Sequence, residues 1–208
     1  MKNGIDKFVP AEKEDRRTEK EESFVVQKFQ LKWNLPNMIV IAGNGRNVGK
    51  TTFARSIIRH FSEKADVIAI KTSPHLHKIN DDLEVICMTS DFIVAEEKGI
   101  SRKDSSLLLQ AGAKRVYFIM AKQEFLESAF SVISGKLDNQ IVIAESGGLH
   151  ELVAPGIFFF VRNQYGITGK EQYLKYNPHI VTNSDHGFDF EIERLGFSNN
   201  HVTIKNKG

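Results

Sequence analysis

Between Ile39 and Thr52 the chain reads IVIAGNGRNVGKTT: an apolar run rich in β-branched residues, a glycine-rich turn, then Gly-Lys-Thr-Thr at the head of a helical segment. Successive backbone N–H groups in such a turn can wrap an anion. The first turn of the helix adds unpaired N–H groups and the positive end of its dipole. Glycines let the backbone approach a phosphate closely. The pattern predicts that Gly43, Asn44, Gly45, Arg46, Asn47, Val48, Gly49, Lys50, Thr51 and Thr52 hold the phosphates of a nucleotide. Lys50 would reach the β- and γ-phosphates, and the Thr51 hydroxyl would enter an Mg²⁺ shell. One departure stands out. The usual spacing is G-x-x-x-x-G-K-[ST], but Asn44 lies five before Gly49 and the glycines fall at 43 and 45, so a loop starting at Gly43 is one residue longer.

A phosphate-bound Mg²⁺ usually takes one more acidic ligand from the C-terminal end of a neighbouring strand. Glu145 closes the run IVIA and precedes Ser146-Gly147-Gly148, a turn expected to be flexible, at the edge where α/β sheets bind ligands. It is expected to orient metal or water. Asp104 opens a helical segment, where capping and a place in the metal shell both suit a carboxylate. Lys71 ends the second strand, in reach of phosphate or a second substrate or simply solvated. His75 and His77 alternate as one face of an extended segment, which allows a two-ligand clip, although surface histidines are the commoner outcome and no third ligand lies nearby. Asp66 opens its strand and so belongs to the opposite edge. Arg46, inside the loop, is the candidate to lie over the phosphates.

Positioning these groups requires short buried strands alternating with helices, which is how the chain reads from Met38 onward. Strands are expected near 38–42, 67–70, 115–120, 140–144, 157–161 and 179–182, and helices over 49–63, 103–112 and 122–135. The insert at about 71–103 contains LEVICMT and DFIVAEE, expected to pair as an antiparallel hairpin around Ser90-Asp91. Residues 1–22 mix acids and bases with little to bury and read as a mobile leader. Residues 23–37 read as an N-terminal arm, alternating apolar and polar until Pro36-Asn37 breaks it. The last part, with FDFEIERLGF and HVTIK, is expected to form a helix and a final edge strand.

Composition narrows the function classes. In 208 residues, 28 Lys+Arg against 26 Asp+Glu leave +2, too little for a nucleic-acid surface, so any anion site is local. The 15 phenylalanines, including Phe158 to Phe160, suit a buried strand better than a base-stacking platform. A single cysteine, Cys87, excludes an internal disulfide and fits a reducing compartment, and no apolar run approaches a bilayer span. A cytoplasmic protein with no membrane or nucleic-acid partner is expected.

These segments resemble the signal-recognition-particle, MinD and BioD-like class of P-loop proteins, which implies a three-layer α/β P-loop NTPase fold with a mostly parallel central sheet. Within that class two families compete. The six-residue step from Gly43 to Gly49, Val48, and Glu145-Ser146-Gly147-Gly148 resemble dethiobiotin synthetase. VIAIKTSPHLH, RKDSSLLLQAGAKRV and the strand ending in Glu145 are similar in order and spacing to the molybdopterin-guanine dinucleotide biosynthesis adaptor proteins, through Lys71, His75, His77, Lys103, Asp104, Ser105 and Ala111-Gly112-Ala113. That likeness spans about residues 38–161 and covers more of the chain. It implies weak GTP hydrolysis with Mg²⁺, a nucleotidyltransferase partner and, by analogy within the class, a homodimer. The first likeness implies instead an ATP-dependent ligase or small-molecule kinase, and a nucleotide-dependent regulatory protein is the third expectation. Thr182-Asn183-Ser184-Asp185 resembles the Asn/Thr-Lys-x-Asp guanine-reading motif with Asn183 in place of Lys. A carboxylate at Asp185 can accept from both N1–H and the 2-amino group of guanine, which favours GTP over ATP.

Overall fold

The computed structural model describes residues 31–137, 139–165 and 170–206. The leader expected over 1–22 and the arm residues 23–30 lie outside them. In chain order the strands are β1 (Trp33–Gly43), β2 (Val67–Ser73), β3 (Leu83–Met88), β4 (Phe92–Glu97), β5 (Arg115–Ala121), β6 (Ile141–Glu145), β7 (Val153–Asn163), β8 (His179–Ser184), β9 (Gly187–Phe188), β10 (Leu195–Ser198) and β11 (His201–Ile204). The helices are α1 (Lys50–Ser62), α2 (Asp104–Gln110) and α3 (Leu126–Ser134).

Among the described residues β1 to β9 form one sheet in the order β3-β4-β5-β2-β6-β1-β7-β8-β9. Its centre, from β5 to β8, is parallel, and antiparallel strands close both edges. The period-two alternation of β1 explains why it sits centrally. Met38, Val40 and Ala42 enter the core that also holds Leu126, Phe130 and Ile133 of α3. Ile39 and Ile41 enter the opposite core with Phe53, Ile57 and Phe61 of α1 and Leu108 of α2. Both faces of the strand are thus buried, and the layers are helix, sheet, helix. Phe159 and Phe160 of β7 are fully buried, as a core strand requires.

Three expectations change. Pro36-Asn37 does not end a strand: Trp33, Asn34 and Leu35 pair with Val153, Ala154 and Pro155, and β1 passes the prolyl residue with a register shift between Leu35 and Ile39. The bulge is supported rather than loose. The buried Asn37 side chain donates to the Leu137 and Gln140 carbonyls at 2.8 and 2.7 Å, and Gly156 leaves room for the Pro36 carbonyl, which would lie 2.2 Å from an added Cβ. The expected C-terminal helix is absent beyond the short 3₁₀ turn Ile192–Arg194. Here β10 and β11 pair as a separate two-stranded hairpin around Asn199-Asn200, both at positive φ. Finally, the helix expected over 122–135 begins as a 3₁₀ turn at Gln123–Phe125 and becomes α-helical only at Leu126.

The insert does form the hairpin expected around Ser90-Asp91, with Thr89 Oγ1 accepting from the Asp91 and Phe92 amides. Through β4 it extends the central sheet antiparallel to β5. None of the described helices is long and apolar enough to cross a membrane.

Candidate phosphate-binding site

Parallel topology decides what can meet. The C-terminal ends of β2, β6, β1 and β7 open on one edge, and the register sets Lys71, Glu145 and Ile41 side by side on β2, β6 and β1. The glycine-rich loop leaves β1 two residues later. Chain order skips from β1 over β6 to β2, so this edge is where the connections diverge, the place where sheets of this kind bind ligands.

The loop from Gly43 to Gly49 is shaped by close contacts. A Cβ at Gly43 would lie 2.6 Å from the Val161 carbonyl oxygen, and one at Gly49 would lie 2.6 Å from Asn183 Nδ2. Gly49 also adopts φ +98°, open to glycine at little cost. Gly45 meets nothing closer than Val48 Cγ1 at 3.8 Å. The glycines the fold demands are therefore 43 and 49, six apart, which is the longer spacing read from the sequence. Val48 is buried against the α1 core, Asn44 is buried, and Arg46 is exposed at the loop's tip. Asn183 donates to the Val48 carbonyl at 3.3 Å, so it braces the loop. Asp185 lies beyond β8 on the same side of the sheet, its carboxylate accepting from Gln164.

Helix α1 starts at Lys50 with no side-chain cap, leaving its first N–H groups facing the loop. Phe53 anchors its first turn among Phe159, Phe188 and Phe190, with ring centroids 4.9–6.1 Å away. Lys50 Nζ bonds back to the Gly45 carbonyl. Burial pushes its ammonium below the ordinary lysine range; Glu145 opposes that, while Lys71 and then Lys170 reinforce it.

Glu145 is 3% exposed and has a partner on each oxygen. Thr51 Oγ1 donates to Oε2 at 2.9 Å, and Lys71 Nζ lies 2.6 Å from Oε1. The same ammonium lies 3.0 Å from Asp104 Oδ2. One lysine thus bridges two carboxylates, from β6 and the start of α2, and Asp104, which makes no side-chain cap, is an ion-pair partner. The expected flexible turn after Glu145 is instead pinned. The Ser146 amide bonds the Ile41 carbonyl, and its hydroxyl accepts from the Gly148 and Leu149 amides and from Thr72.

Two oxygen donors, the Thr51 hydroxyl and a carboxylate, meet at the head of α1, which suits a hard divalent cation. The two histidines weighed as a metal clip, His75 and His77, are both exposed. His77 Nε2 lies 2.8 Å from Ser73 Oγ and its ring stacks on Phe118, and among the described residues no three His, Cys, Asp or Glu side chains gather as a cage. Asp66 sits at the opposite edge, paired with Lys114.

Sequence reasoning missed Lys170 and Tyr173. Tyr173 donates its hydroxyl to the Gly147 carbonyl, and the Lys170 ammonium lies over the Tyr173 ring. Lys170 precedes and Tyr173 sits on a short 3₁₀ segment, Glu171–Tyr176, whose spacing carries no periodic signal. Set against models of protein families, curated proteins and solved structures, the chain matches none of them.

Proposed function

We propose that this chain is a P-loop protein that binds a nucleoside triphosphate with Mg²⁺ on Gly43 to Thr52 and hydrolyses it slowly. The observation that carries the reading is the contact of Thr51 with Glu145 at the head of α1, directly after a loop whose backbone is forced open by Gly43 and Gly49. Lys50 and the first amides of α1 bind phosphate oxygens. Thr51 and Glu145 would hold the cation, with Asp104 the next carboxylate along, and the metal would supply charge neutralisation on the phosphates. Glu145 also orients the attacking water.

Guanine is the proposed base. Asp185 lies on the side of the sheet toward which the loop opens, and a carboxylate there pairs with two guanine donors. The wider role, assisting a nucleotidyltransferase partner in molybdopterin guanine dinucleotide formation, rests on the resemblance carried by Lys71, the Lys103-Asp104-Ser105 run and Ala111-Gly112-Ala113. Phosphate release measured with Mg-GTP and Mg-ATP tests the reading. GTP is expected to be the better substrate, and Glu145→Gln is expected to slow turnover by about 100-fold with GTP still bound. Faster turnover of ATP, and only with an added carboxylic acid, would favour a ligase of the dethiobiotin synthetase kind. Unchanged turnover in Glu145→Gln would remove that residue from the mechanism.

A further inference from the structure

Lys170 lies outside the glycine-rich loop and outside every segment whose letters point to chemistry, yet it converges on the same place. Its backbone is left-handed, φ 61° and ψ 22°, a conformation that a side chain with a Cβ seldom adopts without support. From there the side chain runs over Tyr173, with Nζ 5.5 Å from the ring centroid. The Tyr173 hydroxyl in turn holds the Gly147 carbonyl. A Cβ placed on Gly147 would lie 3.5 Å from Lys170 Nζ, so the ammonium sits against the turn that starts directly after Glu145. Its field reaches both sides: it acts on Lys50 more strongly than Asp104 does, and it is the foremost cation acting on His150.

Three ammonium groups therefore surround the head of α1, and they are not equivalent. Lys71 is committed to Glu145 and Asp104. Lys50 belongs to the loop. Lys170 is exposed, and among the described residues no carboxylate pairs with it. A cation held by a ring face and a strained backbone, beside other cations and without an acid, is a site for an anion.

We propose that Lys170 is a cis-acting lysine that binds the γ-phosphoryl oxygens of a nucleoside triphosphate seated on Gly43 to Thr52 and neutralises the charge on them during transfer. This rests on the nucleotide reading above. In the reaction a bond forms from water oxygen to the γ-phosphorus, and the bond from that phosphorus to the β,γ-bridging oxygen breaks. The bridging oxygen keeps the electron pair as the diphosphate leaves, and the water protons pass to the released phosphate and to solvent. The ammonium touches only the non-bridging γ-oxygens, so its contribution depends on a phosphate that the diphosphate lacks.

The test is the ratio of affinities for Mg-GTP and Mg-GDP in the parent, Lys170→Gln and Lys170→Arg, read with phosphate release. Lys170→Gln is expected to weaken GTP about tenfold, to leave GDP within about twofold and to lower kcat at least about tenfold, with Lys170→Arg restoring the ratio. A ratio unchanged in Lys170→Gln, or an equal loss for both nucleotides, would overturn the proposal. If the parent binds GTP and Lys50→Ala does not, that failure is confined to Lys170. Binding of neither nucleotide by the parent would overturn the nucleotide reading and this one together.

Discussion

Glu145 is a buried carboxylate held by a neutral donor on one oxygen and an ammonium on the other. Removing the cation leaves a buried carboxylate without its counter-charge, and the cost of that exceeds the worth of the pair itself. Lys71→Met is therefore expected to lower the unfolding free energy by about 3 kcal/mol at neutral pH, measured by urea denaturation. Adding Glu145→Gln should restore most of the loss, because the neutral amide needs no counter-charge. A double variant no more stable than Lys71→Met would show that Lys71 acts through packing alone. The place of Glu145 was legible because a carboxylate closing an apolar run announces itself. That of Lys71 was half legible: its strand end was read, but its two carboxylates are far apart in the chain, Glu145 meeting it through the register of β2 on β6 and Asp104 from the start of α2.

The element that organises the site is the β1-loop-α1 unit, and its glycines carry different weights. Gly49→Ala forces a Cβ into left-handed backbone and against Asn183, and is expected to destabilise the fold by about 1–2 kcal/mol. Gly45→Ala has room and should stay within about 0.5 kcal/mol of the parent. Thermal unfolding of the two variants checks the contrast, and equal effects would contradict the loop geometry. Apolar runs and strand-end residues made β2, β5, β6 and the buried parts of β1 and β7 readable, and β8 through its one buried position, Val181. The bulge at Pro36 was not, since its support comes from Leu137, Gln140 and Gly156, more than 100 residues away. Of the C-terminal hairpin the final strand was read, at His201–Ile204, while its partner Leu195–Ser198 was taken for helix, although Asn199-Asn200 supplies the turn that tolerates positive φ.

At the scale of the whole molecule, the core shared with α3 has an internal weak point in acid. His150 is buried with its ring stacked on Phe158 at 4.7 Å and edge-on to Tyr173 and Tyr176, and among the described residues neither ring nitrogen has a hydrogen-bond partner. The Glu151 carboxylate stays 3.9 Å from Nε2. Burial, then Lys170 and Lys175, push its pKa down from 6.5 to about 4. The unfolded chain therefore takes up the proton first as pH falls. The stability contributed by the neutral imidazole is intact above pH 6.5 and lost progressively toward pH 4, by about 3 kcal/mol in total. His150→Leu should flatten the stability profile by that amount between those limits, and a variant with the parent's slope would contradict the assignment. The account as a whole turns on the loop between β1 and α1 binding a nucleotide. Calorimetric titration of the intact chain and of Lys50→Ala with Mg-GTP and Mg-ATP measures this directly. The account predicts saturable binding by the parent, tighter for GTP, and at least a 100-fold loss in Lys50→Ala. No heat of binding with either nucleotide, or equal affinity in the variant, would contradict it.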